Sequence, residues 1–299
     1  MKIAIIGAGN VGASIASLLI SKQMCDEIAL IDINQNLAKA KAIDLSQMAI
    51  ALGVNISVIS GDDYKLLSDF DIVIITAGMA RKDGQSRAEL VKINADIVAK
   101  ASNKIAKFAP NSIIIVVTNP LDIMVYVACK ASGFDRSKVI GMAGELDSAR
   151  LKFALQNHLK RDMSSSKSLV IGMHSDSMIP LIDENLSDSE LNEIKSQTIN
   201  GGALIVKLMN TSAFYAPAAG VINICEALIN GSTKVLSCSV LDSNFIAFSR
   251  PVVIDRSGLK EILELNLKSK DREILDKSIE EFIIYINNLN INSANFNFS

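Results

Sequence analysis

A chain of 299 residues is about twice the usual length of one domain, so two domains or one large α/β unit are expected and a small disulfide-stapled module is excluded. Apolar residues make up 49% and charged residues 21%, a globular composition rather than a disordered or fibrous one. Lys and Arg sum to 30 against 32 for Asp and Glu, so the formal charge of −2 supplies no broad basic face for a phosphate backbone and no nucleic-acid partner is expected.

Residues 2–6 are a short β-branched apolar run, residues 7–12 a glycine turn, and residues 11–20 carry apolar side chains at helical spacing. This opening imitates a signal peptide, but Gly7, Gly9, Asn10 and Gly12 interrupt its apolar core. A second apolar run at 28–31 ends at Asp32, and 37–52 is a good helix by propensity. Apolar strand candidates follow at 56–59, 72–75, 113–117 and 139–140, with helical stretches at 88–108 and 121–131. Strands apolar on both faces that alternate with helices predict a parallel, doubly wound sheet covered on both sides, here over residues 1–142.

From Glu145 the pattern changes to a helix through 158, a strand at 169–171, helices near 187–208 and 215–229, later strands and a terminal helix. Residues 143–299 therefore read as a second, α+β domain. No proline- or glycine-rich linker precedes it, so a packed joint is expected near 142, and the asparagine-rich tail from 287 is expected to fray. Cys25, Cys129, Cys225 and Cys238 are widely spaced with no C-x-x-C pair, so neither metal nor disulfide is expected and a reducing cytoplasm fits best. Mean hydropathy is +0.31, yet no apolar run approaches the eighteen or so residues that span a bilayer, and no membrane partner is expected.

Gly7-Ala8-Gly9-Asn10-Val11-Gly12 matches G-x-G-x-x-G in its required context of strand before and helix after. The first glycine permits the tight turn, and the second lets backbone approach a pyrophosphate stabilised by the helix N-terminus. Asp32 ends the second strand about twenty residues later, where a carboxylate accepts hydrogen bonds from the adenosine ribose. The pair predicts a Rossmann-type dinucleotide site. No arginine follows Asp32 to accept a 2′-phosphate, so NAD is favoured over NADP; a helix N-cap is the alternative role for Asp32.

Residues 76–87 follow a buried strand and carry Arg81, Lys82 and Arg87, a loop suited to an anion or else a solvated basic turn. Thr118-Asn119-Pro120 ends a strand, and Asp147 and Arg150 lie at i, i+3 so that both can face one cleft. His174 follows the 169–171 strand and is either the candidate acid/base or a structural histidine, while His158 lies on a solvated helix end and receives no role.

Taken in order, these motifs resemble the malate and lactate dehydrogenase family, specifically its lactate-dehydrogenase-like malate dehydrogenases. The resemblance runs from Gly7-Ala8-Gly9 through the residue-81 loop, Thr118-Asn119-Pro120-Leu121-Asp122, Leu146-Asp147-Ser148-Ala149-Arg150 and His174 to Tyr215-Ala216-Pro217-Ala218, nearly the whole chain. It implies an NAD-dependent malate dehydrogenase of the tricarboxylic acid cycle, a homodimer or homotetramer acting on a small dicarboxylate. It also implies that His174 accepts the proton, that Asp147 orients it, that Arg150 holds the C1 carboxylate, and that Arg87 and Asn119 meet the substrate oxygen. Gly7, Ala8, Gly9, Asn10, Val11, Gly12 and Asp32, with Asn94, Val117, Thr118 and Asn119, would line the cofactor path.

Arg81 decides between substrates in this resemblance, because lactate-preferring members generally carry a neutral residue there. Enclosed over pyruvate, its charge would lack a partner at roughly 3–5 kcal/mol, which malate and oxaloacetate avoid. Ala213 would leave room for the longer substrate. Two departures from the family pattern stand out: Ser175 where glycine commonly follows the catalytic histidine, with strain if φ is positive there, and Asp83 in place of a loop proline. Lactate dehydrogenase of the same family and a non-catalytic NADH sensor remain the alternatives.

Overall fold

Apolar runs, most of them buried on both faces, become the parallel strands of the computed structural model, which describes residues 1–79, 87–231 and 235–289, with the partly exposed strand at 57–61 on the edge. These strands are β1 (Lys2–Ile6), β2 (Glu27–Ile31), β3 (Ser57–Gly61), β4 (Ile72–Ile75), β5 (Ile113–Val116) and β6 (Val139–Gly141). They pair in parallel in the order β6-β5-β4-β1-β2-β3. The crossovers are helical: α1 (Asn10–Ser21), α2 (Gln35–Ala51), α3 (Arg87–Phe108) and α4 (Leu121–Ser132).

The period-2 geometry of a strand divides each apolar run between two cores. Ile3, Ile5, Ile28, Leu30, Ile72 and Ile74 join Ile15 and Leu19 of α1 on one side. Ala4, Ile6, Ala29, Ile31, Val73 and Ile75 join Val98 and Ile105 of α3 and Met124 of α4 on the other. Each helix closes one layer, which is why neither face of the sheet alternates with polar residues.

The remaining elements are α5 (Ala143–Leu159), β7 (Leu169–Ile171), β8 (Ile179–Leu181), α6 (Asp188–Met209), α7 (Tyr215–Asn230), β9 (Val235–Leu241), β10 (Ala247–Asp255), β11 (Gly258–Ile262) and α8 (Ser269–Asn288). Strands β9 to β11 do not form a sheet of their own. They extend the parallel sheet as an antiparallel edge, β9 pairing with β6 through Gly141 and Ser239, so strands from both halves share nine-stranded order. No linker intervenes between the halves, since α5 starts directly after β6 and Met142.

Strand β8 was not predicted, because three residues that include Pro180 carry no strand signal of their own. It forms by pairing with β7, and Gly172 ties that pair to Ser249 of β10. A separate small core of Leu151, Leu155, Met163, Val170 and Ile194 lies beneath it. The tail expected to fray from 287 begins inside α8, and residues 290–299 lie outside the described residues.

Candidate active site

The strand order turns at β1 and β4, whose C-terminal ends form the crevice where open α/β sheets bind ligands. Gly7 stands there at φ +109°, and a Cβ would meet Thr76 Oγ1 at 2.6 Å and Ala77 N at 2.8 Å. Only glycine fits both the dihedral and the contact. A Cβ at Gly12 would fall 2.0 Å from Gly7 O, so α1 sits directly against the turn. At Gly9, by contrast, a built Cβ meets nothing within 4 Å, and Gly9 caps α1 with no side-chain hydrogen bond and no acidic residue in the first turn. The uncapped N-terminus of α1 thus stands beside a backbone at Gly9 that a pyrophosphate can approach, and the residues present fit a dinucleotide.

Asp32 follows β2 and braces this turn. Its Oδ2 accepts the Ala8 N–H at 2.7 Å and its Oδ1 the Asn34 N–H at 2.8 Å, leaving lone pairs on both oxygens for ribose hydroxyls. Asn34, rather than Asp32, is the side chain that caps α2. Two of the residues expected along the cofactor path make hydrogen bonds within the protein. The Asn94 side chain accepts from Met79 N at 2.8 Å and donates to Met79 O at 3.1 Å and Asn119 O at 2.7 Å. Thr118 donates to Ala77 O at 2.8 Å. Both are buried and staple the segment after β4 to the one after β5.

The candidate acid/base group is assembled from three elements. Asp147 lies 2% exposed on the buried face of α5, its Oδ2 2.6 Å from His174 Nδ1 and its Oδ1 accepting from Arg150 Nη1 at 2.9 Å. With the carboxylate accepting, Nδ1 carries the ring proton and Nε2 is left as the acceptor, with no hydrogen-bond partner among the described residues. His174 follows β7, and its backbone N–H donates to Asp122 Oδ2 at 2.7 Å.

Asp122, in the first turn of α4, received no role from the sequence, where it reads as an ordinary acidic residue at a helix start. It is buried, accepts the Ser239 hydroxyl at 2.7 Å, and so joins α4, β9 and the histidine segment. Burial pushes its carboxyl up to about 6, against the Ser239 and His174 hydrogen bonds, which favour the charged form. For His174, burial is the largest influence and acts against the imidazolium. The charge and hydrogen bond of Asp147, with the charge of Asp122, outweigh burial and the Arg150 cation, so its pKa lies above the ordinary 6.5.

A cavity of about 260 Å³ opens in front of this cluster, lined by Val11, Val117, Asn119, Arg150, His174 and Ala213, with Gly202 of α6 on its wall. The cofactor turn, the carboxylate-binding candidate and the histidine therefore converge on one space. Arg150 is among its lining residues, and the buried Arg150 Nε has no hydrogen-bond partner among the described residues. A larger groove of about 570 Å³ between α1, α2 and α7 holds neither His174 nor Arg150, so size does not identify the reacting site. Another small cavity behind His174 is lined by Asp122, Ser175, Glu281 and Phe282.

Arg81 and Asp83 lie outside the described residues, and of Arg87 only the backbone, as the first residue of α3, is described. Ser175 is not among the residues with positive φ, so the strain considered there is absent. The left-handed position falls on Gly172, at +87°. His158 pairs with Glu190 at 3.0 Å, joining α5 to α6 away from the cavity.

Fold and cavity together are those of a dinucleotide-binding protein with a histidine–carboxylate–arginine cluster at the switch point. Residues 1–141 match the lactate/malate dehydrogenase NAD binding domain, and residues 144–290 the lactate/malate dehydrogenase alpha/beta C-terminal domain. A curated malate dehydrogenase of Methanosarcina barkeri is 42% identical, covering 97% of this chain and 99% of its own. Among solved structures, malate dehydrogenase of Cryptosporidium parvum aligns at TM-score 0.92 and 35% identity, over 96% of this chain and 98% of that one. Lactate dehydrogenase from the same organism, complexed with lactic acid and β-nicotinamide adenine dinucleotide, aligns at TM-score 0.91 and 31% identity, over 97% and 98%. The chain belongs to the lactate/malate dehydrogenase family, and its cofactor is NAD.

Proposed function

We propose that the protein is an NAD-dependent malate dehydrogenase interconverting (S)-malate and oxaloacetate. The observation that carries this reading is the Asp147 carboxylate shared between His174 Nδ1 and Arg150 Nη1 at the wall of one cavity. When bound, the nicotinamide accepts a hydride from C2 of the hydroxy acid or returns it. His174 takes the hydroxyl proton on Nε2 during oxidation and gives it back in reduction, while Asp147 orients the ring and stabilises the imidazolium. Arg150 holds the C1 carboxylate through its planar donors. Arg87 polarises the carbonyl oxygen and Asn119 hydrogen-bonds it. Asp32 takes the ribose, the Gly7–Gly12 turn the pyrophosphate, and Val11 and Val117 the nicotinamide side. In this scheme residues 1–142 hold the cofactor and 143–299 supply the proton relay and carboxylate clamp.

Arg81 receives the second carboxylate, which is what selects malate over lactate. Support comes from relatives named malate dehydrogenase at about 40% identity. The solved lactate dehydrogenases of similar fold make pyruvate the alternative to test. A sensor of NADH would need the glycine turn and Asp32 but has no use for the His174, Asp147 and Arg150 cluster.

We assign the enzyme to the cytoplasm, in keeping with four free, buried cysteines, and to the malate-oxidising step of the tricarboxylic acid cycle. No helix among the described residues is long and apolar enough to cross a membrane. Assembly as a homodimer or homotetramer is supported by exposed Ile50, Leu208 and Tyr215 and by the groove between α1, α2 and α7.

NADH oxidation by the purified protein with oxaloacetate and with pyruvate tests the reading. A strong preference for oxaloacetate that Arg81→Gln shifts towards pyruvate is expected. Preference for pyruvate in the unaltered protein overturns the substrate assignment, and no turnover with either brings the sensor forward.

A further inference from the structure

Helix α6 carries two adjacent glycines, Gly201 and Gly202, near its middle. Glycine is the least favourable helix-interior residue after proline, and α6 is otherwise well specified. A Ser187–Glu190 capping box opens it and Asn210 in the left-handed conformation closes it. Helix propensity therefore does not account for the pair, and what each glycine faces differs.

A Cβ at 202 would stand 2.9 Å from Arg150 Nη2, 3.2 Å from Cζ and 3.3 Å from Nη1. At 201 the nearest atoms are Arg150 Cδ at 3.7 Å and Cγ at 3.8 Å, ordinary van der Waals contact. The guanidinium thus lies flat against the α6 backbone at 202. Asp147 Oδ1 holds Nη1 at 2.9 Å from α5, and Gly202 itself lines the same cavity as His174.

We propose that Gly202 is a positioning residue for the substrate clamp: its missing side chain sets where the Arg150 guanidinium lies. The inference rests on the reading that Arg150 holds the substrate carboxylate. Asp147 fixes one edge of the guanidinium by charge, and the bare backbone of α6 fixes its depth. A methyl group at 202 would meet the end of a flexible side chain rather than backbone, so the fold absorbs it by moving Arg150. The displaced fork no longer presents two donors to a carboxylate in the cavity, and geometry of this kind is what a bidentate contact depends on.

The test compares Gly202→Ala with Gly201→Ala, Arg150→Gln and the Gly202→Ala/Arg150→Gln double variant, with oxaloacetate as substrate. Gly202→Ala is expected to raise KM for oxaloacetate at least tenfold with a smaller change in kcat, an unchanged NADH dissociation constant and a Tm equal to or above that of the unaltered protein. Gly201→Ala should leave KM within twofold. Because the effect acts through Arg150, adding Gly202→Ala to Arg150→Gln should leave KM within twofold of Arg150→Gln alone. That cycle keeps the test valid whatever happens to Tm. A KM within twofold in Gly202→Ala while Arg150→Gln is severely impaired overturns the inference and leaves the clamp standing. An independent tenfold effect in the double variant overturns it as well. If Arg150→Gln has normal KM, the reading of Arg150 falls, and the role of Gly202 falls with it.

Discussion

One carboxylate serves two partners, an imidazole and a guanidinium, at the centre of this site. Asp147 gives Oδ2 to His174 and Oδ1 to Arg150, so in the proposed mechanism the proton relay and the substrate clamp share one carboxylate. Removing the imidazole alone separates chemistry from binding: His174→Asn should lower turnover at least a hundredfold, the usual scale for a general acid/base, while NADH titration gives an unchanged dissociation constant. Retained turnover would exclude His174 as the proton carrier. The raised pKa of His174 also sets the pH profile. Oxaloacetate reduction needs the imidazolium and should fall as pH climbs through a midpoint above 6.5, while malate oxidation needs the neutral ring and should rise through it. Asp147→Asn removes the stabilising charge, so the midpoint should move down; a stationary midpoint in kcat/KM against pH would rule out this coupling. At this scale the three residues that meet at the Asp147 carboxylate were already singled out in the sequence, Arg150 by its i, i+3 spacing from Asp147 and His174 by its residue type. Asp122 was not, since its hydrogen bonds to the His174 backbone and Ser239 span 52 and 117 residues.

Among the elements, the turn between β1 and α1 is the most tightly specified. Gly7 combines φ +109° with a Cβ position inside contact distance of Thr76 and Ala77. Gly7→Ala should therefore destabilise the protein by about 3 kcal/mol, the sum of a positive-φ penalty and overpacking, seen as a lower midpoint in urea. NADH binding should weaken with it, because Asp32 Oδ2 holds the neighbouring Ala8 N–H. An unchanged midpoint would mean that the turn has room the structure does not give it. This element was readable as a local pattern of strand, glycine turn and helix. Strand β8 was not, because its existence depends on β7 lying alongside. Nor was the staple made by Asn94 and Thr118, whose partners lie on segments that meet only after the sheet forms.

For the molecule as a whole, the sheet is the unit that brings cofactor turn and acid/base group together. The second half feeds β9, β10 and β11 onto the edge of the parallel sheet, and this sheet edge holds the His174 segment through the Gly172–Ser249 bridge to β10 and through Asp122, which accepts from both Ser239 of β9 and the His174 N–H. Exposed Ile50, Leu208 and Tyr215 are large apolar side chains that a second copy can cover. Light scattering after size exclusion should accordingly give twice or four times the 32.1 kDa of one chain, and a single-chain mass would refute the assembly. Periodicity, turn chemistry and the residue types of the candidate site were already present in the linear order, because strands, turns and helices answer to neighbours a few positions away. The shared sheet, the Asp122 support, the Arg150 rest on Gly202 and the meeting of Val11, Asn119 and His174 at one cavity needed the folded chain. Those contacts join residues tens to more than a hundred positions apart, and only packing determines which of them touch.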